Sequence, residues 1–453
     1  MVKKWPVVLL LFLLGCAAGY SKYMGAPLKN MARGDYAGAL AKLEKPEGKT
    51  NRLLYYFEKG LLLHYQGEYE TSNQVFAQAE RLIDQLYTKS VSREIASLLT
   101  NDAIRAYSGE EFERALIHYY RALNYQYLGQ PQEALVECRK ANLRLEDFAA
   151  KAEYKLTYKN DAFIQYMTGL FFEAEGELND AYISYKDADK GYRAYAEAFG
   201  IQPPKMLGSD LARLSFKLGY RAEGIAYSER YGLKLGDWAS SQDGEVIFFV
   251  EHGFIARKYQ QEINLPILES DPNGNVWVAS ERAVYRYRHQ PYAHHRAKVK
   301  YWLRVALPEY REQPSKVRQV RLRGGGRHAD GALVENLDAI AQKNFRDKEG
   351  TILLRTVARS LAKYVATQKA EDESELLGFL VNLFGAATEA ADTRSWLALP
   401  SQIRMVRFSL PPGTVDLELE FLNERGAILE VKEFPGVEVQ VGKPVFLSYR
   451  SYL

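Results

Sequence analysis

Small residues recur at fixed offsets through the first half of the chain, and this recurrence constrains the fold more than any other feature. Gly60, Ala122 and Gly169 each begin a run in which a large residue follows at the third position onward (Leu63, Tyr125, Phe172) and a glycine at the seventh (Gly67, Gly129, Gly176). Ser72, Ala134 and Ala181 come at the twelfth, Phe76, Cys138 and Tyr185 at the sixteenth, and Ala79, Ala141 and Ala188 at the nineteenth. Two helices approach closely only where side chains are small, while the large residues fill the space between successive pairs. The glycines between them suit a left-handed exit from a helix.

These offsets are those of the tetratricopeptide pattern. Gly34, Tyr36, Ala39, Leu40 and Leu43 read as a partial unit before the three runs, and Gly219 to Gly224 as another turn and second helix after them. The three anchors are not spaced by the standard period of roughly thirty-four residues, so extra helix is expected between them, with Leu82, Leu86, Ile95 and Leu99 on apolar stripes of the segment 81–117. Cys138 falls at a packing position, which predicts a buried, inert thiol.

From Gly232 to Gly244 the helical pattern gives way to Gly, Ser and Asp, and Glu245 to Val250 begins a β pattern. Strands are expected at 276–278, 284–287 and 299–305, and again at 403–410, 415–422, 428–434 and 445–449. The turns Pro411-Pro412-Gly413, Asn423 to Gly426 and Gly442-Lys443-Pro444 separate the last four, implying a terminal sandwich-like unit. Helices are expected at 333–345, 352–365 and about 373–391, the last a buried core helix too short to cross a bilayer.

The N-terminus reads as a bacterial lipoprotein signal. Lys3 and Lys4 precede the apolar run Val7 to Leu14, and Leu13-Leu14-Gly15-Cys16 closes it. Leu13 and small Gly15 suit the processing peptidase, and Cys16 supplies the thiol that takes the lipid, with palmitate as the expected acyl group. Each buried methylene contributes about 0.8 kcal/mol, so several chains anchor strongly. Ala17 follows the cysteine, where Asp would favour retention in the inner membrane, so the expected place is the periplasmic face of the outer membrane.

Charge excludes one class of partner. The chain of 453 residues carries a net charge of +3, which falls to about +1 once Lys3 and Lys4 are removed, and no general field for nucleic acid follows. With Cys16 lipidated, Cys138 has no intramolecular disulfide partner.

Beyond the tetratricopeptide offsets, the chain resembles a family of poorly characterised proteobacterial outer-membrane lipoproteins. The resemblance rests on Glu110 to Asn124, Ala134 to Arg139, Val250-Glu251-His252-Gly253, and Ala391 to Trp396 before Leu399-Pro400. Cys138 stands where that family has a small residue. The resemblance implies a tetratricopeptide half, a mixed C-terminal half and a role in the cell envelope, but no reaction.

Catalytic candidates are thin. Glu251-His252 at a strand end could supply a base or metal ligand, with His289, His294, His295 and His328 as further candidates, yet no ligand spacing of a known metal motif occurs. Arg323-Gly324-Gly325-Gly326-Arg327 lacks the Lys and Ser/Thr of a phosphate loop and reads as a flexible loop. Asp392-Thr393-Arg394-Ser395-Trp396 reads as a structural corner, with a recognition patch on Asp392, Arg394 and Trp396 as the functional alternative.

The expected fold is therefore α+β: signal peptide 1–15, lipidated N-terminus and linker 16–27, an all-α tetratricopeptide-like helical repeat array 28–232, and a β-rich mixed domain with inserted helices 244–453. The functional surface expected is the concave groove of the array, lined by Phe57, Leu61, His64, Tyr119, Leu123, Gln126, Tyr166, Leu170 and Glu173, with the alternative that a capping helix or the C-terminal domain fills that face. That makes the chain a lipid-anchored periplasmic scaffold for other cell-envelope proteins, without cofactor, metal or catalytic residues. The alternatives are an enzyme acting on cell-wall or surface polymers through His252, or an accessory factor in export and surface assembly.

Overall fold

The computed structural model describes residues 16–43, 50–91, 105–152, 154–234, 236, 243–268, 299–373 and 390–453. The N-terminal part is helical: α1 (Cys16–Tyr23), α2 (Gly25–Met31), α3 (Tyr36–Lys42), α4 (Arg52–Tyr65), α5 (Tyr69–Val91), α6 (Glu111–Tyr127), α7 (Pro131–Lys151), α8 (Ala162–Ala174), α9 (Leu178–Phe199), α10 (Lys205–Lys217) and α11 (Arg221–Tyr231). From α4 onward they pack as consecutive antiparallel pairs, α4 with α5, α6 with α7, α8 with α9 and α10 with α11.

Every pair closes in the same way. Gly67, Gly129, Gly176 and Gly219 have φ between +68° and +87°, and the next residue's N–H reaches back over the turn: Glu68 to Leu63 O, Gln130 to Tyr125 O, Glu177 to Phe172 O and Tyr220 to Ser215 O, at 2.8–3.0 Å. A Cβ on Gly60 or Gly169 would lie 2.6 Å from the Phe76 ring or 2.3 Å from that of Tyr185. Those are the close approaches that the small residues anticipate. The extra helix expected at 81–117 is in part a continuation of α5, which carries Leu82 and Leu86; Ile95 and Leu99 lie outside the described residues.

Residues 16–27 are not the linker expected. α1 and α2 lie on the array, burying Tyr20, Met24 and Leu28, because one helical face of this segment is apolar enough to extend the core.

The remainder comprises β1 (Gly244–His252), β2 (Arg257–Leu268), β3 (Val299–Arg311), β4 (Gln319–Gly324), β5 (Arg327–Asp330), β6 (Ala332–Asn336), α12 (Leu337–Glu373), β7 (Gln402–Leu410), β8 (Gly413–Leu422), β9 (Ile428–Val439) and β10 (Val445–Ser451). One sheet runs β10-β1-β7-β6, a second β5-β4-β8-β9, and β2 pairs with β3. The β1–β10 pair is parallel and the others antiparallel. The terminal strands thus do not make a unit of their own: β7 and β10 flank β1, while β8 and β9 complete the second sheet. The two expected helices at 333–345 and 352–365 are one, α12, preceded by a strand. The strands at 276–278 and 284–287 and most of the expected helix at 373–391 lie outside the described residues.

β1 sits between two cores because its side chains alternate. Ile247 and Phe249 join the core of the helical array, while Val246, Phe248 and Val250 face the second sheet together with Val320, Leu322, Leu419 and Phe421. The protein is therefore layered as helix pairs, first sheet, second sheet.

Candidate functional site

The expected groove exists, and the chain itself fills it. Phe57, Leu61, Tyr119, Leu123, Tyr166, Leu170 and His64 are buried, and Gln126 and Glu173 partly so. Lying against them are the first sheet and the segment 391–400: Trp396 stacks on Phe57, Phe249 meets Phe163 with ring centroids 5.8 Å apart, and Phe446 meets Phe171 at 5.1 Å. Of the two readings of the groove, open to a partner or filled by the chain's own C-terminal part, the structure has the second, an internal interface. Its apolar face could not be left in water when a second apolar layer from the same chain was available to cover it.

Two carboxylates, which sequence reasoning missed, hold the covering segment. Glu58 on α4 accepts the main-chain N–H groups of Leu397 (2.9 Å) and Ala398 (3.2 Å) and the Tyr20 hydroxyl (3.1 Å). Glu113 on α6 accepts Trp396 N–H at 2.7 Å, Tyr107 Oη at 2.6 Å and Glu110 N–H at 2.9 Å. Burial pushes Glu58 up to about 8 and Glu113 up to about 7, against these stabilising hydrogen bonds. Their sequence signal was an acidic residue inside an apolar stripe, as in Leu53 to Leu63.

Further along the interface, Tyr65 and Tyr119 donate to Glu251, Tyr119 at 3.1 Å. Burial raises Glu251, and the Arg450 guanidinium partly offsets that. Asp210 on α10 accepts Tyr166 Oη at 2.7 Å and pairs with Arg407 of β7, which also grips Glu245 at 2.6 Å. His64 Nδ1 lies 2.6 Å from Asn124 Oδ1, and Asn124 donates to Ser72 and Asn73 at 2.9 Å each. Glu173 holds Tyr185 and Arg213 at 2.9 and 2.6 Å. Gln126 Oε1 is buried without a hydrogen-bond partner among the described residues.

The Asp392 corner is structural. Asp392 accepts Arg394 N–H at 3.1 Å and pairs with its guanidinium at 2.7 Å, while Arg394 Nη1 reaches Thr50 O and Arg105 O at 3.1 and 3.0 Å. Arg394 and Trp396 are 1% and 0% exposed, so the alternative of a recognition patch is not available on the surface.

The paired Glu251-His252 site does not assemble. Strand alternation sends Glu251 toward the helices and His252 toward the second sheet, and His252 is pushed down to about 3 by burial and by the guanidiniums of Arg404, Arg450 and Arg318. A base must be near the operating pH to work. His328 is exposed on β5, and His289, His294 and His295 lie outside the described residues. Among the described residues no group of three potential metal ligands occurs. Arg323 to Arg327 forms the hairpin turn between β4 and β5, with Gly325 and Gly326 at φ +55° and +73°. Cys138 is buried between helices, and burial pushes its thiol up to about 12.

Leu13 and Gly15 lie outside the described residues, and Cys16 opens α1. No described helix is long and apolar enough to cross a membrane.

The fold defines this class: a TPR-like helical repeat closed by a β-rich partner domain. No family model and no curated protein sequence matches the chain. Among solved structures, MamA from Desulfovibrio magneticus is 14% identical, covering 47% of this chain and 92% of its own, at a TM-score of 0.30. The kinesin light chain with TPR-like repeats from Podosopora anserina is 15% identical over 47% and 92%, at 0.32. Aspartyl phosphate phosphatase F from Bacillus subtilis is 16% identical over 46% and 50%, at 0.31.

Proposed function

We propose that the protein is a non-catalytic scaffold, lipid-anchored through Cys16 on the periplasmic face of the outer membrane, whose helical groove is committed to its own β-rich half. The observation that carries this reading is the hold of Glu58 and Glu113 on the backbone of residues 396–398, which joins the two halves as one body. Other cell-envelope proteins then meet the outward faces. Leu143 on α7 and Ile183 on α9 are 65% and 53% exposed and are the apolar positions best placed for that. Tyr20 is buried one turn after Cys16, so acyl chains there would hold the array directly at the bilayer rather than on a long tether.

Photo-crosslinking residues at Leu143 and Ile183, with Tyr119 and Tyr166 as buried comparisons, test the scaffold in cells. Crosslinks to envelope proteins are expected from the outward pair alone. Equal crosslinking from Tyr119 would mean that the groove opens to partners. Fractionation tests the anchor: Cys16→Ser should leave the membrane fraction or remain unprocessed, and unchanged partitioning into detergent would end the lipoprotein reading.

A further inference from the structure

The corner where β1 ends carries donors that the scaffold reading does not use. His252 lies on the face of β1 turned toward the second sheet, opposite Gln402 in register, and Arg404 shares that face two residues along β7. Arg318 arrives from the segment entering β4, where its Nη1 donates to Ser315 O at 2.6 Å. Ser315 in turn places its Oγ 3.3 Å from His252 Nδ1. Gly253, at φ +68°, lets the chain turn here, where a Cβ would stand 3.2 Å from Ser401 Cβ.

Two polar atoms at this corner lack hydrogen-bond partners among the described residues, while exposed Arg318 donates only to the carbonyls of Ser315 and Val317. His252 is 1% exposed, and among the described residues neither its Nε2 nor the buried Nε of Arg404 has a hydrogen-bond partner. Among the described residues neither Arg404 nor Arg318 forms an ion pair with a carboxylate. Buried polar groups are nearly always satisfied, and here two unpartnered nitrogens share one face of the sheet with a further guanidinium entering beside them.

The hydrogen bonds also fix the ring's tautomer. Ser315 has one hydroxyl proton, which it donates to Leu453 O at 2.7 Å, and its oxygen accepts Val317 N–H at 3.1 Å. It faces Nδ1 only as an acceptor, so Nδ1 carries the proton and Nε2 of the neutral ring is bare.

We propose that this corner binds a small tetrahedral oxyanion of the phosphate or sulfate kind, gripped by Arg404 and Arg318 with His252 Nε2 as third donor. Nε2 can donate only after taking up a proton, so binding draws one proton from solvent and leaves the imidazolium beside the anion. The charged side chains that lower His252 are cations, Arg404 from β7, Arg318 before β4 and Arg450 from β10, and the nearby anion is the Leu453 carboxylate, which accepts from Ser315 Oγ at 2.7 Å. Glu430 of β9 is engaged by Ser451 at 3.2 Å. Burial is the main reason the ring is neutral and the cations add to it; an anion offsets that repulsion and pairs with the imidazolium, and guanidinium–oxyanion hydrogen bonds supply the affinity.

Titration calorimetry of the full chain in detergent tests this, with sulfate as probe, in two buffers of different ionisation enthalpy. The expected result is one sulfate bound with close to one proton taken up, and affinity weakening about tenfold per pH unit through neutrality, until the pH at which the ring of the complex itself loses its proton. Arg404→Gln should lose at least about tenfold in affinity at an unchanged melting temperature. His252→Gln should keep weaker binding but lose both proton uptake and pH dependence. Vesicles containing phosphatidylglycerol distinguish the source: displacement of sulfate by them identifies a lipid headgroup, and indifference a free ion. No sulfate or phosphate binding, or binding that both variants leave intact, would overturn the proposal.

Discussion

Trp396 lies flat on Phe57, with ring centroids 4.6 Å apart and planes 21° from parallel, although one belongs to the fourth helix and the other to a loop in the last quarter of the chain. Phe76 and Tyr120 complete its surroundings at 5.9 and 6.0 Å. The indole is thus the plug of the concave face, and the backbone amides on its C-terminal side are those that Glu58 holds. Trp396→Ala should cost about 3–5 kcal/mol, the range for deleting a large buried aromatic side chain. Urea unfolding monitored by circular dichroism would measure it, and a loss below 1 kcal/mol would mean that the segment is not a structural plug.

Stability should depend on pH through the same carboxylates. Glu58 and Glu113 keep their protons to about 8 and about 7 in the folded protein, and Asp338 to about 6, whereas in the unfolded chain all three ionise near the ordinary range. The native state therefore binds more protons than the unfolded state above about pH 4.5, and its stability falls as pH rises toward 8. His64 and His252, pushed down to about 4 and about 3 by burial, act oppositely, and their contribution is lost as pH falls below about 6.5. Melting temperatures from pH 5 to 9 should decline on the alkaline side, and Glu58→Gln should flatten that decline. A melting temperature that rises from pH 6 to 8 would contradict the assignment.

The helix pairs should be intolerant of a single methyl group. Gly169→Ala places a Cβ on the Tyr185 ring, which is fixed by its bond to Glu173, so about 1–3 kcal/mol of overpacking strain is expected. Thermal denaturation of Gly169→Ala beside Gly350→Ala, where a Cβ meets nothing within 4 Å, isolates the steric effect.

Tyr119 and Tyr166 provide the sharpest test of a closed groove. Both are 0% exposed, and their hydroxyls donate to Glu251 and Asp210. Tyr166→Phe should cost about 1.5–3 kcal/mol by removing one hydrogen bond to the ion-paired carboxylate of Asp210, and the double change to Ala should unfold the protein or lower its melting temperature severely. If the double variant melted like wild type and lost only partner capture, the face would be open in solution.

Much was legible in the sequence because it depends on neighbours in the chain. The offsets from Gly60, Ala122 and Gly169 specify where helices can touch, Gly67, Gly129 and Gly176 specify where they end, the continuous apolar run Val246 to Val250 specifies β1, and alternation specifies a strand such as β8. The turn residues before β8, β9 and β10 were equally local. What covers an apolar face is a different kind of fact. Phe57, Tyr119 and Tyr166 mark the concave side as apolar, but the same pattern serves a visiting partner and a distant part of the chain alike. Glu58 meets Leu397 across 339 residues, and no periodicity encodes that separation. Strand alternation likewise separates Glu251 from His252, while sheet order decides which strands flank β1. The sequence by itself determined the repeat and its breaks, since those follow from local sterics and backbone conformation. Only the tertiary structure decided that the groove is filled from within, because that outcome depends on which distant surface buries the most apolar area at the least cost in unpaired polar groups.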